Sequence, residues 1–122
     1  MTASTYADSL QRGMVHLWAG RPIDAVLCFR LAIKAKADGS EARFHLGEML
    51  WQLGLADEAI QSWRDAARVD VRFVAARLAL AEALLSRGDF AGARAAAAEA
   101  EAIAPGDTRA QASRSAAAAA MA

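Results

Sequence analysis

The side chains that could do chemistry in this chain are few and lie far apart. Its two histidines are His16 and His45, and its single cysteine is Cys28. Imidazole nitrogen and thiolate sulfur are good zinc ligands, but these three positions lack the short paired spacings of zinc sites. The sequence therefore predicts no metal site and no cofactor. We interpret Cys28, which stands between Leu27 and Phe29, as a small core residue.

Acidic residues occur in pairs, which could indicate general acid and base chemistry. Asp57 is next to Glu58, and Glu99 is two residues from Glu101. On a helix, side chains at these intervals point in different directions, because only residues three or four apart are surface neighbours. The sequence also has no Gly-x-Ser-x-Gly element, which would indicate a nucleophilic serine. Since no set of groups converges, we expect that the chain is not an enzyme.

Length and composition predict a single helical domain. The chain has 122 residues, of which 56% are hydrophobic and 7% aromatic. Alanine and leucine are abundant and β-branched residues are few, which favours helix over strand. We therefore predict an all-α fold in one domain over residues 1–122.

Charge and hydropathy argue against several classes of partner. Fourteen basic residues balance fourteen acidic ones, so no net field attracts nucleic acid or an anionic membrane surface. No apolar run approaches the length that crosses a bilayer, and the N-terminal residues lack the segments of a signal peptide. One cysteine excludes an internal disulfide. We expect a cytoplasmic protein that binds no nucleic acid and does not insert into a membrane.

A repeat of 34 residues organises the chain. Gly20, Gly54 and Gly88 are separated by this interval. Recurrence at a fixed period of this length is typical of stacked helical repeats. Three further sets of small residues keep the same spacing: Ala25, Ala59 and Ala93; Ala32, Ala66 and Ala100; and Gly13, Gly47 and Ala81.

Each period is predicted to be a helical hairpin, because apolar residues recur every three or four positions on both sides of the glycine. In the second period one apolar stripe is formed by Leu46, Met49, Leu50 and Leu53. Gly54 then ends the first helix in the left-handed conformation. The predicted helices span about 6–19, 22–37, 41–53, 56–69, 73–87 and 90–103.

Small residues explain how the two helices of a hairpin approach each other. We expect Ala59 to lie near Gly47, where a larger side chain would hold the backbones apart. Trp63, one turn further along, then fills the wider space between the helices. Ser40 and Asp89 are predicted N-caps, since their side-chain oxygens can accept hydrogen bonds from a first helical turn.

In these features the sequence resembles the tetratricopeptide repeat family. That motif has Trp, Leu-Gly and Tyr in its first helix, followed by Ala, an aromatic residue, Ala and Pro. The segment HLGEML with Ala59, Trp63 and Ala66 matches the second repeat, and AIAPGD with Pro105 closes the third. The resemblance covers Tyr6 to Asp107. It implies a right-handed superhelical stack of three helix-turn-helix hairpins, with repeats at about 6–39, 40–73 and 74–107.

The chain departs from the family pattern at several positions. Arg12 stands where the family favours Leu, Ala97 replaces the aromatic residue of the third repeat, and the first two repeats end in Ala37 and Val71 instead of Pro. Related helical repeats of similar length read RNA, but this chain has no basic surface for that purpose.

The C-terminal residues from about 108 to 119 are predicted to form one more helix, with Asp107 as a capping candidate. We interpret it as a capping helix that covers the apolar end of the stack. The alternative is the first half of a fourth repeat, because Ala110 is in register with Ala42 and Ala76. In that case the chain is a piece of a longer protein.

The resemblance implies a binding surface on the first helix of each hairpin, where family members hold peptides or partner helices in a concave groove. Trp51 lies off the stripe that faces the second helix, so we expect it to be exposed. Core packing is the alternative interpretation for the leucine and methionine residues of this set. The predicted groove residues are Leu10, Met14, Leu17, Trp18, Phe44, His45, Glu48, Trp51, Leu78, Glu82 and Leu85.

The leading functional hypothesis is an interaction module that binds an apolar or amphipathic segment of a protein, with a helix as the expected form of that segment. Glu48 and Glu82 would then favour basic flanking residues. Self-association into a homo-oligomer is one alternative, and a regulatory or targeting segment of a larger enzyme is another. The family also clamps acidic chaperone tails with Lys, Asn and Arg, but here the matching positions are Leu10, Met14, His45, Ala75 and Ala79. We predict no binding of such tails.

Overall fold

The computed structural model describes the backbone of residues 2–122 and the side chains of residues 5–122. Every regular element in this range is a helix, as the composition predicted. The predicted limits of the fourth and sixth helices agree with the structure, and the other helices differ from the prediction at their ends. The helices are α1 (Thr2–Trp18), α2 (Pro22–Ala35), α3 (Ser40–Gln52), α4 (Ala56–Val69), α5 (Val74–Arg87), α6 (Phe90–Ile103) and α7 (Thr108–Met121).

The chain divides into two compact units, Met1–Val69 and Asp70–Ala122. In the first unit α1 packs on α2, α2 on α3, and α3 on α4. In the second unit α5 packs on α6, and α7 packs on both of them. The division falls directly after α4, four residues before the predicted end of the second repeat at residue 73. The single domain predicted from the chain length stays a prediction.

The first helix of each hairpin ends at a glycine with positive φ. Gly54 has a φ of 81°, and the N–H of the next residue, Leu55, donates to the carbonyl of Leu50 at 2.9 Å. This bond spans five residues and satisfies a carbonyl that the helix leaves without a partner. Gly20 and Gly88, with φ of 72° and 83°, end α1 and α5 in the same way. The hairpin turns predicted from the glycine period are therefore confirmed.

Within each of the first two hairpins, the two helices approach each other where a glycine of the first helix faces an aromatic ring of the second. A Cβ atom on Gly13 would lie 2.4 Å from the Phe29 ring, and one on Gly47 would lie 2.5 Å from Nε1 of Trp63. Ala59 is fully buried, but the atoms nearest to Gly47 belong to Trp63. That Ala59 lies near Gly47 stays a prediction, and the indole ring is the group in closest contact with this glycine.

The third hairpin uses alanine at both of the equivalent positions. Ala81 and Ala97 are fully buried, and they form one cluster with Ala96 and the partly buried Leu80. The first-helix residue is thus glycine where the second helix supplies a large ring, and alanine where it supplies a methyl group. Since interiors are close-packed, the sizes of the two residues have to match.

Two helices begin with an aspartate that caps their first turn. The carboxylate of Asp89 accepts a hydrogen bond from the N–H of Gly92 at 3.0 Å, as predicted. Asp107 accepts in the same way from the N–H of Ala110 at 2.9 Å. Each bond satisfies one of the first four N–H groups of α6 and α7, which have no acceptor within the helix.

The predicted N-cap Ser40 is instead the first residue of α3, and the N-cap is Gly39. Gly39 lies against the ring of Tyr6, where a Cβ atom would be 2.3 Å from the nearest ring carbon. No side chain fits between the ring and this backbone. The helix therefore starts without a side-chain cap, which the sequence pattern could not indicate.

Arg43 joins the loop before α3 to α4. Its Nε and Nη2 atoms donate to the carbonyl of Ala37 at 2.9 and 2.7 Å. Its Nη1 atom lies 3.7 Å from the carboxylate of Asp65. Ala37 is the position where the family pattern has Pro. In this loop, hydrogen bonds from Arg43 stand in place of the restraint that a proline would give.

Arg77 repeats this arrangement in the second unit, 34 residues later. Its Nε and Nη2 atoms donate to the carbonyl of Val71 at 3.2 and 3.1 Å, and its Nη1 atom pairs with Glu99. The third period ends in Pro105, and the residue in register with the two arginines is Gln111. The arginine thus occurs in the two helices that follow a loop without proline.

The helix predicted after the third repeat is present as α7. It buries Ala110, Ser113 and Ala117, which lie on one face because they are three and four residues apart. Ala110 is fully buried, as are Ala42 and Ala76 at the equivalent positions of α3 and α5. The three alanines in this register are therefore buried alike.

Candidate functional site

The sequence-predicted binding residues of the first unit lie on α1 and α3. We call this set the α1/α3 face. Trp18 is 73% exposed and Trp51 is 36% exposed, and the other six side chains are partly buried. Trp18 and Trp51 are thus the two exposed residues of this set. The members of the α1/α3 face are Leu10, Met14, Leu17 and Trp18 of α1, and Phe44, His45, Glu48 and Trp51 of α3.

Trp51 is supported from below by a second indole. Its ring centroid lies 5.9 Å from that of Trp63, with an angle of 42° between the planes. Trp63 is buried, and its Nε1–H donates to the backbone carbonyl of Phe44 at 3.1 Å. The lower ring is therefore held in place by a hydrogen bond as well as by packing. Trp51 itself is 36% exposed above this fixed ring, as its position in the sequence predicted.

The predicted groove residue His45 has its contacts inside the protein. Its ring stacks on Phe29, with centroids 5.8 Å apart and an interplanar angle of 26°, and meets Phe44 edge-on at 5.1 Å. Its Nδ1 atom lies 2.7 Å from Oε1 of Glu48. The imidazole therefore packs between α2 and α3 and orients the Glu48 carboxylate. The sequence placed both residues on one surface but did not indicate this pair.

Two of the three residues predicted from α5 have partners within the second unit. Leu78 is 4% exposed and packs against Ala100 and Ala110. It is a core residue, so its assignment to the binding surface was wrong. The reason is that α6 and α7 both close over this side of α5, and the periodicity of α5 alone does not reveal that second layer.

Glu82 pairs with Arg109 of α7. The Nη2 and Nε atoms of Arg109 donate to its two carboxylate oxygens at 2.8 and 3.3 Å. The hydrogen bond from Arg109 to Glu82 raises the pKa of the guanidinium. The carboxylate that was predicted to meet a basic partner is thus already neutralised within the chain. Leu85, the third predicted residue of α5, is partly buried.

The turn between α3 and α4 adds apolar surface that the sequence interpretation missed. Leu53 is 37% exposed, although the periodicity placed it in the interior stripe of α3, and Leu55 is 45% exposed. Leu53 follows the last residue of α3, so its direction no longer obeys the helical period. The signal available in the sequence was the segment LGL, in which two leucines flank the turn residue Gly54.

The polar side chains of the described residues form no metal-binding site. No group of three or more His, Cys, Asp or Glu side chains comes together there. Cys28 is free and partly buried, so it is less enclosed than the core residue that we expected. No helix of residues 2–122 is both long enough and apolar enough to cross a bilayer.

A family model described as Tetratricopeptide repeat matches residues 10–68 and 56–108 of the chain. The two matches overlap and together span the hairpins from α1 to α6. A comparison with curated proteins finds no match.

Several solved structures share the fold. The chain is 18% identical to the Arabidopsis OM64 TPR domain, with 98% of each chain covered and a TM-score of 0.89. It is 21% identical to the Yersinia enterocolitica type III secretion chaperone SycD in complex with a peptide of the translocator YopD, with 98% and 96% covered and a TM-score of 0.89. The second TPR domain of human RPAP3 in complex with the HSP70 peptide SGPTIEEVD is 16% identical, with 97% and 98% covered and a TM-score of 0.89.

Proposed function

Because this chain belongs to the tetratricopeptide repeat family, we propose that it is a protein-interaction module. Its ligand is an apolar or amphipathic segment of a partner protein, and the α1/α3 face is the surface that binds it. Stacked helical hairpins offer extended surfaces of this kind. The structural relatives SycD and RPAP3 are described in complex with peptides, which supports this class of function.

The observation that carries the proposal is the exposed Trp51 on its buried support. Aromatic side chains that are held in place and surrounded by partly buried apolar residues are the usual anchors of protein interfaces. Trp51 has this geometry, since Trp63 lies beneath it and is itself fixed by a hydrogen bond. The exposed leucines Leu53 and Leu55 extend the apolar area beside it. An apolar side chain of the partner is expected to pack on this ring.

The face also constrains the charge of its ligand. Glu48 keeps 39% of its side chain exposed while it accepts from His45, so it can still meet a cation of the partner. The carboxylate of Glu82 is 48% exposed, but it accepts two hydrogen bonds from the guanidinium of Arg109, which is always charged. We therefore assign the preference for a basic flanking residue to Glu48 alone.

The test is a selection from a displayed library of random peptides of about 14 residues, long enough for roughly four helical turns. Peptides that bind the native chain are measured by fluorescence anisotropy against Trp51→Glu. We expect their affinity to fall by about tenfold or more, which corresponds to about 1.4 kcal/mol. Met121→Glu, which changes an apolar residue 49% exposed at the end of α7, is the control and is expected to leave binding unchanged.

The proposal fails if the selected peptides bind Trp51→Glu as tightly as the native chain while circular dichroism shows both proteins folded. Sedimentation velocity over a wide concentration range addresses self-association. A native dimer that becomes a monomer in Trp51→Glu would mean that the α1/α3 face binds a second copy of the chain.

We propose further that the chain does not clamp acidic chaperone tails. The positions that carry the clamp in the family are occupied here by Leu10, Met14, His45, Ala75 and Ala79, none of which supplies a lysine or arginine for a terminal carboxylate. Isothermal titration with the peptide SGPTIEEVD is expected to give no saturable heat. A low-micromolar affinity would contradict this proposal.

A further inference from the structure

The first unit has a second surface with the features of a binding site. A cleft of about 340 Å³ lies among α2, α3 and α4. Its floor includes the buried Leu46, and the nearly buried hydroxyl of Ser62 is part of its wall. Its other polar lining is charged: Arg30 and Lys34 of α2, Arg43 of α3 and Asp65 of α4. Clefts with an apolar floor and a few converging polar groups are typical ligand sites.

The cleft carries an excess of positive charge. Asp65 is matched by Arg43 at 3.7 Å, and the other nitrogens of that guanidinium hold the loop carbonyl of Ala37. Arg30 and Lys34 have no hydrogen-bond or ion-pair partner among the side chains of residues 5–122. Both are exposed, and they lie one turn apart on the same side of α2. Two cations are therefore available to an anionic group.

An apolar stripe on the outer side of α2 adjoins these cations. Ile23, Leu27 and Leu31 are 65%, 58% and 57% exposed. They are four residues apart, so they form one line along the helix. Arg30 is three residues from Leu27, and Lys34 is three residues from Leu31, which makes each cation a surface neighbour of the stripe. The two cations thus lie beside the stripe in the C-terminal half of α2.

We propose that this α2 surface, formed by the stripe and by Arg30 and Lys34, binds an acidic amphipathic segment of a partner protein. Apolar side chains of the segment lie along the stripe, and its carboxylates reach the two cations. The stripe runs from Ile23 to Leu31, over about 12 Å, which matches about two turns of a partner helix. The Ser62 hydroxyl offers one further donor to a carboxylate that enters the cleft.

The lining favours carboxylates over phosphate. Arg30 is the guanidinium of the cleft that is open to a carboxylate or a phosphate, because the fork of Arg43 is occupied by Ala37 and Asp65. The Asp65 carboxylate also repels a dianion more strongly than a single carboxylate. The adjoining stripe recognises apolar side chains, which a free anion lacks. Charge and hydrophobicity together therefore select an acidic peptide.

The α2 surface is separate from the α1/α3 face. Two groups of residues on α3 belong to the two surfaces. The cleft has Arg43 and Leu46, and the α1/α3 face has Phe44, Glu48 and Trp51. At 100° per residue, the mean directions of these two groups around the helix axis differ by roughly 135°. A change at Arg30 or Lys34 therefore leaves the α1/α3 face intact, and the two proposals can fail independently.

The experiment is a selection from the displayed random peptide library on the native chain, with counter-selection against the double variant Arg30→Gln/Lys34→Gln. Both substitutions are at exposed positions, so the variant is expected to fold, which circular dichroism checks. We expect enrichment of peptides with at least two Asp or Glu and apolar residues four apart. Their affinity should fall by about tenfold or more in the double variant and in Leu27→Glu. It should be unchanged in Trp51→Glu and should weaken as salt is raised.

Two results would overturn the proposal. One is a counter-selection that leaves no acidic peptides, and the other is a set of acidic peptides that keep their affinity in Leu27→Glu. If inorganic phosphate at low millimolar concentration displaces the peptides completely, the cleft is a simple anion site. Peptides that lose binding only in Trp51→Glu would support the proposed function and count against this second surface.

Discussion

The Cα atom of Gly47 lies directly against the indole of Trp63, so that a methyl group added there would be 2.5 Å from Nε1. The same indole donates its N–H to Phe44 and supports Trp51. One contact between a glycine and a tryptophan thus sets the spacing of α3 and α4 and places the most exposed ring of α3. The stability of the hairpin and the shape of the α1/α3 face depend on the same pair.

Gly47→Ala is expected to destabilise the protein by about 1–3 kcal/mol, because overpacking outweighs the gain of about 1 kcal/mol in helix propensity. The measurement is the free energy of unfolding in urea. The control is the same change in a Trp63→Leu background, where the ring no longer fills the space. There we expect Gly47→Ala to be neutral or stabilising, and equal effects in the two backgrounds would contradict the packing argument.

Arg77→Gln is expected to cost about 1–3 kcal/mol of stability, since it removes hydrogen bonds from a charged group to the Val71 carbonyl and the pair with Glu99. Its side chain is 15% exposed, so solvent replaces these contacts poorly. Arg94→Gln changes an exposed arginine of α6 and should stay within about 0.5 kcal/mol. Equal urea midpoints for the two variants would show that the arginine does not hold the loop.

Asp107→Ala is expected to destabilise α7 by about 1 kcal/mol, because the N–H of Ala110 loses its acceptor. In this variant, hydrogen exchange should become faster in α7 than in α5 and α6, since helix ends open locally. Ser115→Ala, at an exposed position of the same helix, serves as the comparison and should leave exchange in the first turn of α7 unaltered. Faster exchange in both variants would point to general loosening of α7 and not to the cap.

Burial raises the pKa of the Tyr6 phenol, a hydrogen bond with the Ala42 backbone opposes this shift, and the carboxylates of Glu41 and Asp38 add to it. The folded state therefore holds the phenolic proton more tightly than the unfolded state. As pH rises above 10, the unfolded chain ionises first, so the stability associated with Tyr6 is lost progressively through the folded-state pKa. Because the chain has one tyrosine, the absorbance of the phenolate measures this pKa directly.

The control for this prediction is Tyr6→Phe, in which the phenol cannot ionise. We expect the unfolding free energy of the native chain to fall more steeply above pH 10 than that of the variant. Parallel curves, or a phenol that titrates at or below pH 10, would contradict the assigned burial beneath Lys36 and against Gly39.

Features that depend on neighbouring residues in the chain were predictable from the sequence. The helices, their hairpin turns at Gly54 and its equivalents, and the cap at Asp89 follow from local backbone preferences, which act over a few residues. The 34-residue period also predicted which helices pair into hairpins, because equivalent small residues recur where the backbones of two helices come close. The exposure of Trp51 followed from its direction around α3.

The tertiary structure decided how deeply each side chain lies and which distant group it meets. Leu78 and Phe44 occupy equivalent positions of the repeat, but α6 and α7 cover Leu78 and leave it in the core. The pair of Glu82 with Arg109 joins residues 27 positions apart, and the α2 cleft gathers side chains from three helices. A helical period gives only a direction around one axis. The burial and the pairing of a side chain depend on which other helices lie in that direction. These features could therefore be described only from the packed helices.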